Sequence, residues 1–213
     1  MMHQMIDLRE EYDIELSEDW KSTLAPGHDS DQPEIACAEA QTVASAGDPN
    51  AAVPGSQPDL VKHVAAGCGA AYWGPGSLMT FLATGKDTGG AFFVSEMCVP
   101  PGGGPPPHVH SREDESFHMQ EGTLKVQVGA DTLTVSAGDF VFLPRGIAHS
   151  FKNTGDTNAR ALVLITPAGL ENFFAEVFEP AVKGFPPPPP SSELIARSLA
   201  AAPRYGLALL PPE

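Results

Sequence analysis

The sequence predicts an all-β chain: a small barrel of short strands, preceded by an acidic extension and followed by short helices. Three observations lead there. From about Val61 to Thr166, short runs of alternating apolar and polar residues are broken by Gly-, Asp- and Asn-containing turns, the rhythm of a sandwich or barrel. Within that rhythm stand four residues able to hold a transition metal: His108, His110, Glu115 and His149. Glycines and a proline flank them where the chain has to turn sharply.

The front of the chain carries most of the charge. Residues 1–60 hold 13 acids against Arg9 and Lys21, a net of −11 out of −15 for all 213 residues. Nucleic acid and anionic membrane surfaces repel such an arm, so neither is an expected partner. Leu8, Tyr12, Leu16, Trp20 and Leu24 recur every four residues, while Tyr12, Ile14 and Leu16 alternate, so a helix and an edge strand both fit. Pro26 to Asp59 is rich in Ala, Gly, Pro, Ser and Asp without periodicity and predicts a mobile linker.

The barrel follows. Ser77–Thr84 and Ala91–Val99 read as strands joined across Gly85–Gly90. Ser116–Gln120, Leu124–Val128, Thr132–Val135, Phe140–Leu143, His149–Lys152 and Ala161–Thr166 come next. The period then changes, because Leu170, Phe173, Phe174, Val177 and Phe178 form one face of a helix over Leu170–Phe178. That helix either caps an open barrel end or serves as an aromatic lid over a substrate pocket. Phe185 leads into five prolines, a stiff spacer, and Glu193–Ala202 is a second helix ended by Pro203. The expected units are therefore residues 1–60 (extension and linker), 61–168 (barrel) and 169–213 (C-terminal helices and proline-rich tail).

No apolar run approaches the ~18 residues of a membrane span, and no basic, apolar leader opens the chain. The three cysteines, Cys37, Cys68 and Cys98, have neither metal nor redox spacing. A reducing, cytoplasmic setting is expected, with Cys98 as a small core residue.

The site residues fall in two clusters. Gly102, His108, His110, Glu115 and Gly122 make the first; Gly138, Pro144, Gly146, His149 and Asn153 make the second. Two residues apart on a strand, His108 and His110 face the same way. A turn through Ser111–Asp114 starts the return strand that carries Glu115. Pro144-Arg145-Gly146 is a second turn, which launches His149. Three imidazoles and a carboxylate suit Fe, Mn, Ni, Co or Zn and leave two positions of a hexacoordinate ion open for chemistry. At average composition each fixed position matches by chance roughly one time in twenty, so ten at set spacings are not coincidence.

The two clusters resemble the paired motifs of the cupin superfamily. Further segments resemble single-domain cupins of the quercetin 2,3-dioxygenase-like group: Tyr72-Trp73-Gly74-Pro75-Gly76, the stretch from Phe81 to Gly90, Pro105-Pro106-Pro107 before His108, and the closing Arg204-Tyr205-Gly206. The likeness spans roughly residues 63–211. It implies a double-sheet jelly-roll barrel, with His108, His110, Glu115 and His149 as ligands of one divalent transition metal.

Other residues are weighed beside these. Phe117 and Met119 share the face of Glu115, and Phe151 follows His149 by two, so all three are expected to wall a substrate pocket. His118 faces away and departs from the aromatic residue common there in the relatives. Asn153 reads chiefly as a turn residue, with a supporting hydrogen bond to the site as the alternative. Glu96 is read as a strand residue, with a second metal-side carboxylate as the lesser alternative. Arg112, Glu113 and Asp114 are read as solvated loop residues, and Arg145 as a surface charge. His3, His28 and His63 have no supporting spacing.

The function expected is a metal-dependent dioxygenase acting on an enolic or phenolic, flavonol-like small molecule, with O₂ as co-substrate and Glu115 as ligand and base. A homodimer is expected. The alternatives are a non-oxidative isomerase, cyclase or decarboxylase on the same barrel, or a ligand-binding cupin without turnover. Fold analogy does not choose among them.

Overall fold

The computed structural model describes residues 41–44, 60–181 and 191–210. The periodic segment Leu8–Leu24, the proline run after Phe185, Cys37, His3 and His28 lie outside these residues. A strand pair opens the described chain: β1 (Gln41–Ala44) lies antiparallel to β2 (Leu60–His63), with Val43 opposite Val61. Part of the expected linker is therefore strand, because Thr42-Val43 is a short β-prone stretch that pairs with β2.

Next come β3 (Ala70–Gly74), β4 (Ser77–Ala83), the one-turn helix α1 (Gly85–Thr88) and β5 (Phe93–Val99). The motif strands are β6 (His108–His110), β7 (Asp114–Glu121), β8 (Thr123–Val128) and β9 (Asp131–Ser136). They continue in β10 (Phe140–Leu143), β11 (His149–Asn153) and β12 (Ala159–Thr166). Helix α2 (Glu171–Val177) leads to the two-residue strand β13 (Glu179–Pro180). Helix α3 (Ser192–Ala201), a 3-10 turn over Ala202–Tyr205 and β14 (Leu207–Leu209) close the described chain.

Two antiparallel sheets face each other, as the jelly-roll expectation requires. One has seven strands in the order β10-β7-β12-β5-β4-β3-β13, the other five in the order β14-β6-β11-β8-β9. Burial alternates strictly along β5, so Phe93, Met97 and Val99 point into the core while Val94, Glu96 and Cys98 lie on the other face. Cys98 is thus half-buried on the outer face, contrary to expectation, because its side-chain parity is opposite to that of Met97. The core between the sheets is closed by Phe117, Met119, Val163 and Ile165 from one side and Leu124 and Val126 from the other, all fully buried. Burying each such side chain contributes roughly 1.5–3 kcal/mol.

The β7–β8 hairpin depends on Gly122. Its φ is +70°, and a Cβ there would stand 2.8 Å from the Ala159 backbone, so the turn tolerates no side chain.

Helix α2 settles on the barrel. Leu170, Phe173 and Val177 are buried, and the Phe174 ring lies 6.1 Å from Phe93 and 6.5 Å from Phe81, both inner-face residues. This is the capping arrangement. Ile165 pairs with Phe93 on one side and Glu115 on the other, so the cap stands at the level of Glu115. Ser191 starts α3 by accepting the Leu194 N–H at 3.0 Å. The following Pro203 falls inside the 3-10 turn, as a residue that cannot continue an α-helix. β14 then pairs with β6 through Leu207–His110 and Leu209–His108, so the end of the described chain braces the strand of the two histidines.

Candidate metal centre

β6 is only three residues long, with a buried–intermediate–buried pattern that turns His108 and His110 inward. β11 opens on His149, which pairs directly with His108 across the ladder. β7 brings Glu115 from the opposite sheet. The four residues are between 2% and 7% exposed, and the ligand atoms they offer all lie within 4.8 Å of one another.

The rings are packed tightly. His110 and His149 stack at 5.2 Å and 7° between planes, while His108 meets His149 edge-on at 4.4 Å. Glu115 Oε2 lies 3.1 Å from His149 Nε2 and 3.7 Å from His110 Nε2. His108 Nδ1 is 2.9 Å from the Pro106 carbonyl, and His149 Nδ1 is 3.0 Å from the Ile147 carbonyl. A carbonyl only accepts, so each Nδ1 is the protonated nitrogen and each Nε2 turns to the centre.

The turn before His149 is tied to the first motif. Gly146, at φ +80°, donates its N–H to the His110 carbonyl at 2.7 Å. The Asp114 carboxylate accepts from the Arg145 backbone N–H at 2.9 Å, and from its guanidinium at 3.0 and 2.6 Å. Asp114 is therefore not simply solvated: Arg145 holds its carboxyl down at about 2.

The electrostatics suit a cation. Burial pushes His108 down to about 3, with the neighbouring His149 and His110 adding to the effect, and burial also lowers His110. Both are neutral imidazoles at ordinary pH, the form that binds metal. Burial also works against a charged Glu115, but the hydrogen bond with His149 and the three imidazoles outweigh it and hold the carboxyl below its usual range. The same contact raises His149 against its own burial. Glu115 Oε2 and His149 Nε2 stand 3.1 Å apart, and both atoms belong to the cluster that could hold a cation. Three nitrogen donors, one carboxylate and a buried, partner-poor His110 fit a transition ion, and these four residues could hold one.

The remaining sequence expectations resolve as follows. Phe117, Met119 and Phe151 lie buried, with Phe117 edge-on to Phe151 at 5.2 Å, in the core layer next to the ligands. His118 is exposed on the outer face, and His63 is exposed. Glu96 is on the outer face too, 3.6 Å from Arg160, and is not a second carboxylate at the metal. Asn153 is a turn residue: its Nδ2 donates to the Val99 and Thr157 carbonyls at 2.8 Å, and its Oδ1 accepts the Gly155 N–H at 2.9 Å. Its main chain also exchanges hydrogen bonds with Gly102 and Gly103, fastening the first motif's glycine loop to the end of β11.

Two buried carboxylates were missed. Glu113, expected in solvent, is 4% exposed and lies 4.0 Å from His110 Nδ1. Its parity with Glu115, two residues on, was the available signal. Glu171 is 6% exposed and accepts the N–H groups of Gly85 and Gly169, both at 2.7 Å, tying α1 to the start of α2.

Comparison with known proteins agrees with this geometry. The family described as Cupin domain matches residues 95–165. A germin-like protein 5-1 of Oryza sativa subsp. japonica is 40% identical over 74 residues, 32% of this chain and 34% of the relative. The quercetin 2,3-dioxygenase of Aspergillus japonicus is 30% identical over 104 residues, 46% of this chain and 29% of the relative. The tetracenomycin polyketide synthase protein TcmJ of Streptomyces glaucescens is 28% identical over 91 residues, 43% of this chain and 59% of the relative. The chain thus covers less than two thirds of the length of each of these relatives. Two facing antiparallel sheets, a buried His-His-Glu-His cluster and a matching family over the central strands lead to one assignment: residues 95–165 of the chain form a cupin domain.

Proposed function

We propose that the protein is a metal-dependent dioxygenase acting on an enolic or phenolic small molecule. The observation that carries this reading is the Glu115–His149 contact of 3.1 Å inside a buried three-histidine, one-carboxylate cluster. When bound, a divalent transition ion supplies Lewis acidity and a place for substrate oxygen and O₂. His108, His110 and His149 hold it as neutral donors. Glu115 would lower the charge of the site, and its carboxylate oxygen would accept the substrate's hydroxyl proton. That transfer needs ~2.6–3.2 Å reach. Phe117, Met119 and Phe151 keep the adjoining layer apolar, which excludes water from reactive species. The quercetin 2,3-dioxygenase and the polyketide synthase protein among the relatives support a phenolic or enolisable substrate class.

The second reading keeps the ion as a Lewis acid only, in isomerisation, cyclisation or decarboxylation. It is favoured by TcmJ, of whose length the match covers 59%. Metal analysis followed by an oxygen-electrode trace against a panel of flavonols and enols decides between them. O₂ uptake in step with substrate loss supports the dioxygenase, and full-rate conversion under argon overturns it in favour of the second reading.

A further inference from the structure

The nitrogens that face away from the centre are not treated alike in the three histidines. In His108 and His149 the outer Nδ1 is held by the main-chain carbonyl two residues earlier. The corresponding carbonyl for His110 belongs to His108, whose strand already pairs with β11 on one side and β14 on the other. Both His110 ring nitrogens are consequently buried without a hydrogen-bond partner.

One group faces the outer nitrogen. Glu113 Oε2 lies 4.0 Å from His110 Nδ1, and it too is buried without a partner. Among the described residues, four buried side-chain polar atoms lack partners, and two of them, His110 Nδ1 and Glu113 Oε2, meet in this contact; the others are His110 Nε2, which faces Glu115, and Ser95 Oγ. An unpaired buried donor and an unpaired buried acceptor each carry a desolvation cost that their mutual bond would remove.

We propose that Glu113 is the positioning residue of His110: its Oε2 accepts the Nδ1–H, fixing the tautomer that presents the Nε2 lone pair to the metal. This rests on the metal-binding reading of the site. The gap exceeds hydrogen-bond length by only ~1 Å, a distance that a small rotation of the imidazole or carboxylate covers. A charged acceptor behind a ligand imidazole also makes the ligand more basic and holds its ring plane. The centre then has three anchored histidines, two by main-chain carbonyls and one by a side chain.

The test is cobalt(II) loading of the full chain, read by metal titration and by proton NMR of the hyperfine-shifted, exchangeable imidazole N–H signals. Wild type is expected to show three such signals, one for each Nδ1–H. Glu113→Leu should keep two and lose or displace the third, with cobalt affinity weakened ~10–100-fold. Glu113→Gln, which retains an oxygen acceptor, should recover most of the affinity, with only the third signal displaced. If Glu113→Leu does not fold, Glu113→Gln alone decides by the same displacement. An unchanged third signal together with wild-type affinity in the folded variant overturns the assignment of Glu113 alone. A wild-type chain that takes up no cobalt overturns the metal-binding reading and this inference with it.

Discussion

Asp114 grips Arg145 by three hydrogen bonds, one to its backbone N–H and two to its guanidinium, at 2.9, 3.0 and 2.6 Å. The pair joins the strand that bears Glu115 to the turn that launches His149, two residues of the candidate metal cluster far apart in sequence. Arg145→Ala removes the two guanidinium bonds and keeps the backbone bond. The expected result is a folded barrel with metal affinity weakened by ~10-fold, since residues that orient ligands act at this scale. Titration of the apo protein with Mn²⁺ or Co²⁺ checks it, and wild-type affinity would show that the turn is rigid without Arg145.

Ligand removal should act more strongly. His108→Ala and His149→Ala each leave three donors, and each should abolish stoichiometric metal while the circular dichroism of the barrel persists. The core that closes the sheets, Phe117, Met119, Val163 and Leu124, does not depend on either imidazole. Elemental analysis of both variants beside wild type provides the check. Metal retained at one ion per chain in both would mean that the ion sits elsewhere.

Glu115→Gln separates ligand from base. An amide oxygen still coordinates weakly, so much of the metal should remain, whereas an amide takes no proton at neutral pH. Turnover should therefore fall by ~10²–10⁴, well beyond the fall in metal content. Comparing kcat per bound metal in the two proteins measures this, and an equal loss of both would leave Glu115 a ligand only.

The C-terminal cap has its own pH signature. Glu176, on α2, accepts the Tyr205 hydroxyl at 2.5 Å and pairs with Arg204, and these two bonds hold its carboxyl below the usual value of 4.5. A depressed folded-state value stabilises the folded chain above the unfolded value and is lost as pH falls through the folded one. The Tm gap between wild type and Glu176→Gln should accordingly be full at pH 6–7 and shrink below about pH 4.5. The pair is exposed, so the gap is small. A gap independent of pH between 3 and 7 would sink this account.

Much of the site was legible because its rules are local. A spacing of two on a strand sends His108 and His110 to one face, and the same parity carries Phe117 and Met119 with Glu115. The period change at Leu170 marked α2 by the same kind of argument. Phe140–Leu143 and the start of β11 at His149 fell where alternation and the Pro144–Gly146 turn put them.

The rest depended on partners distant in sequence. Alternation says that a face is covered, and never by what. The bracing of β6 by β14 joins His108 to Leu209, and no window of the sequence contains both. Leu207–Leu209 carries too short a signal to be seen as a strand without that partner. Glu113 has the composition of a solvated loop, and only the closure of the barrel, with Gly169 and α2 brought alongside, buries it beside His110. Cys98 shows the opposite case, an apolar-looking residue left on the outer face by its parity with Glu96. The chemistry of the ligands thus belongs to the sequence, since side-chain type and strand period are properties of short segments. Which carboxylates are dry, and which histidine lacks a main-chain anchor, belongs to the tertiary structure, because burial is set by whatever long-range packing places next to a residue.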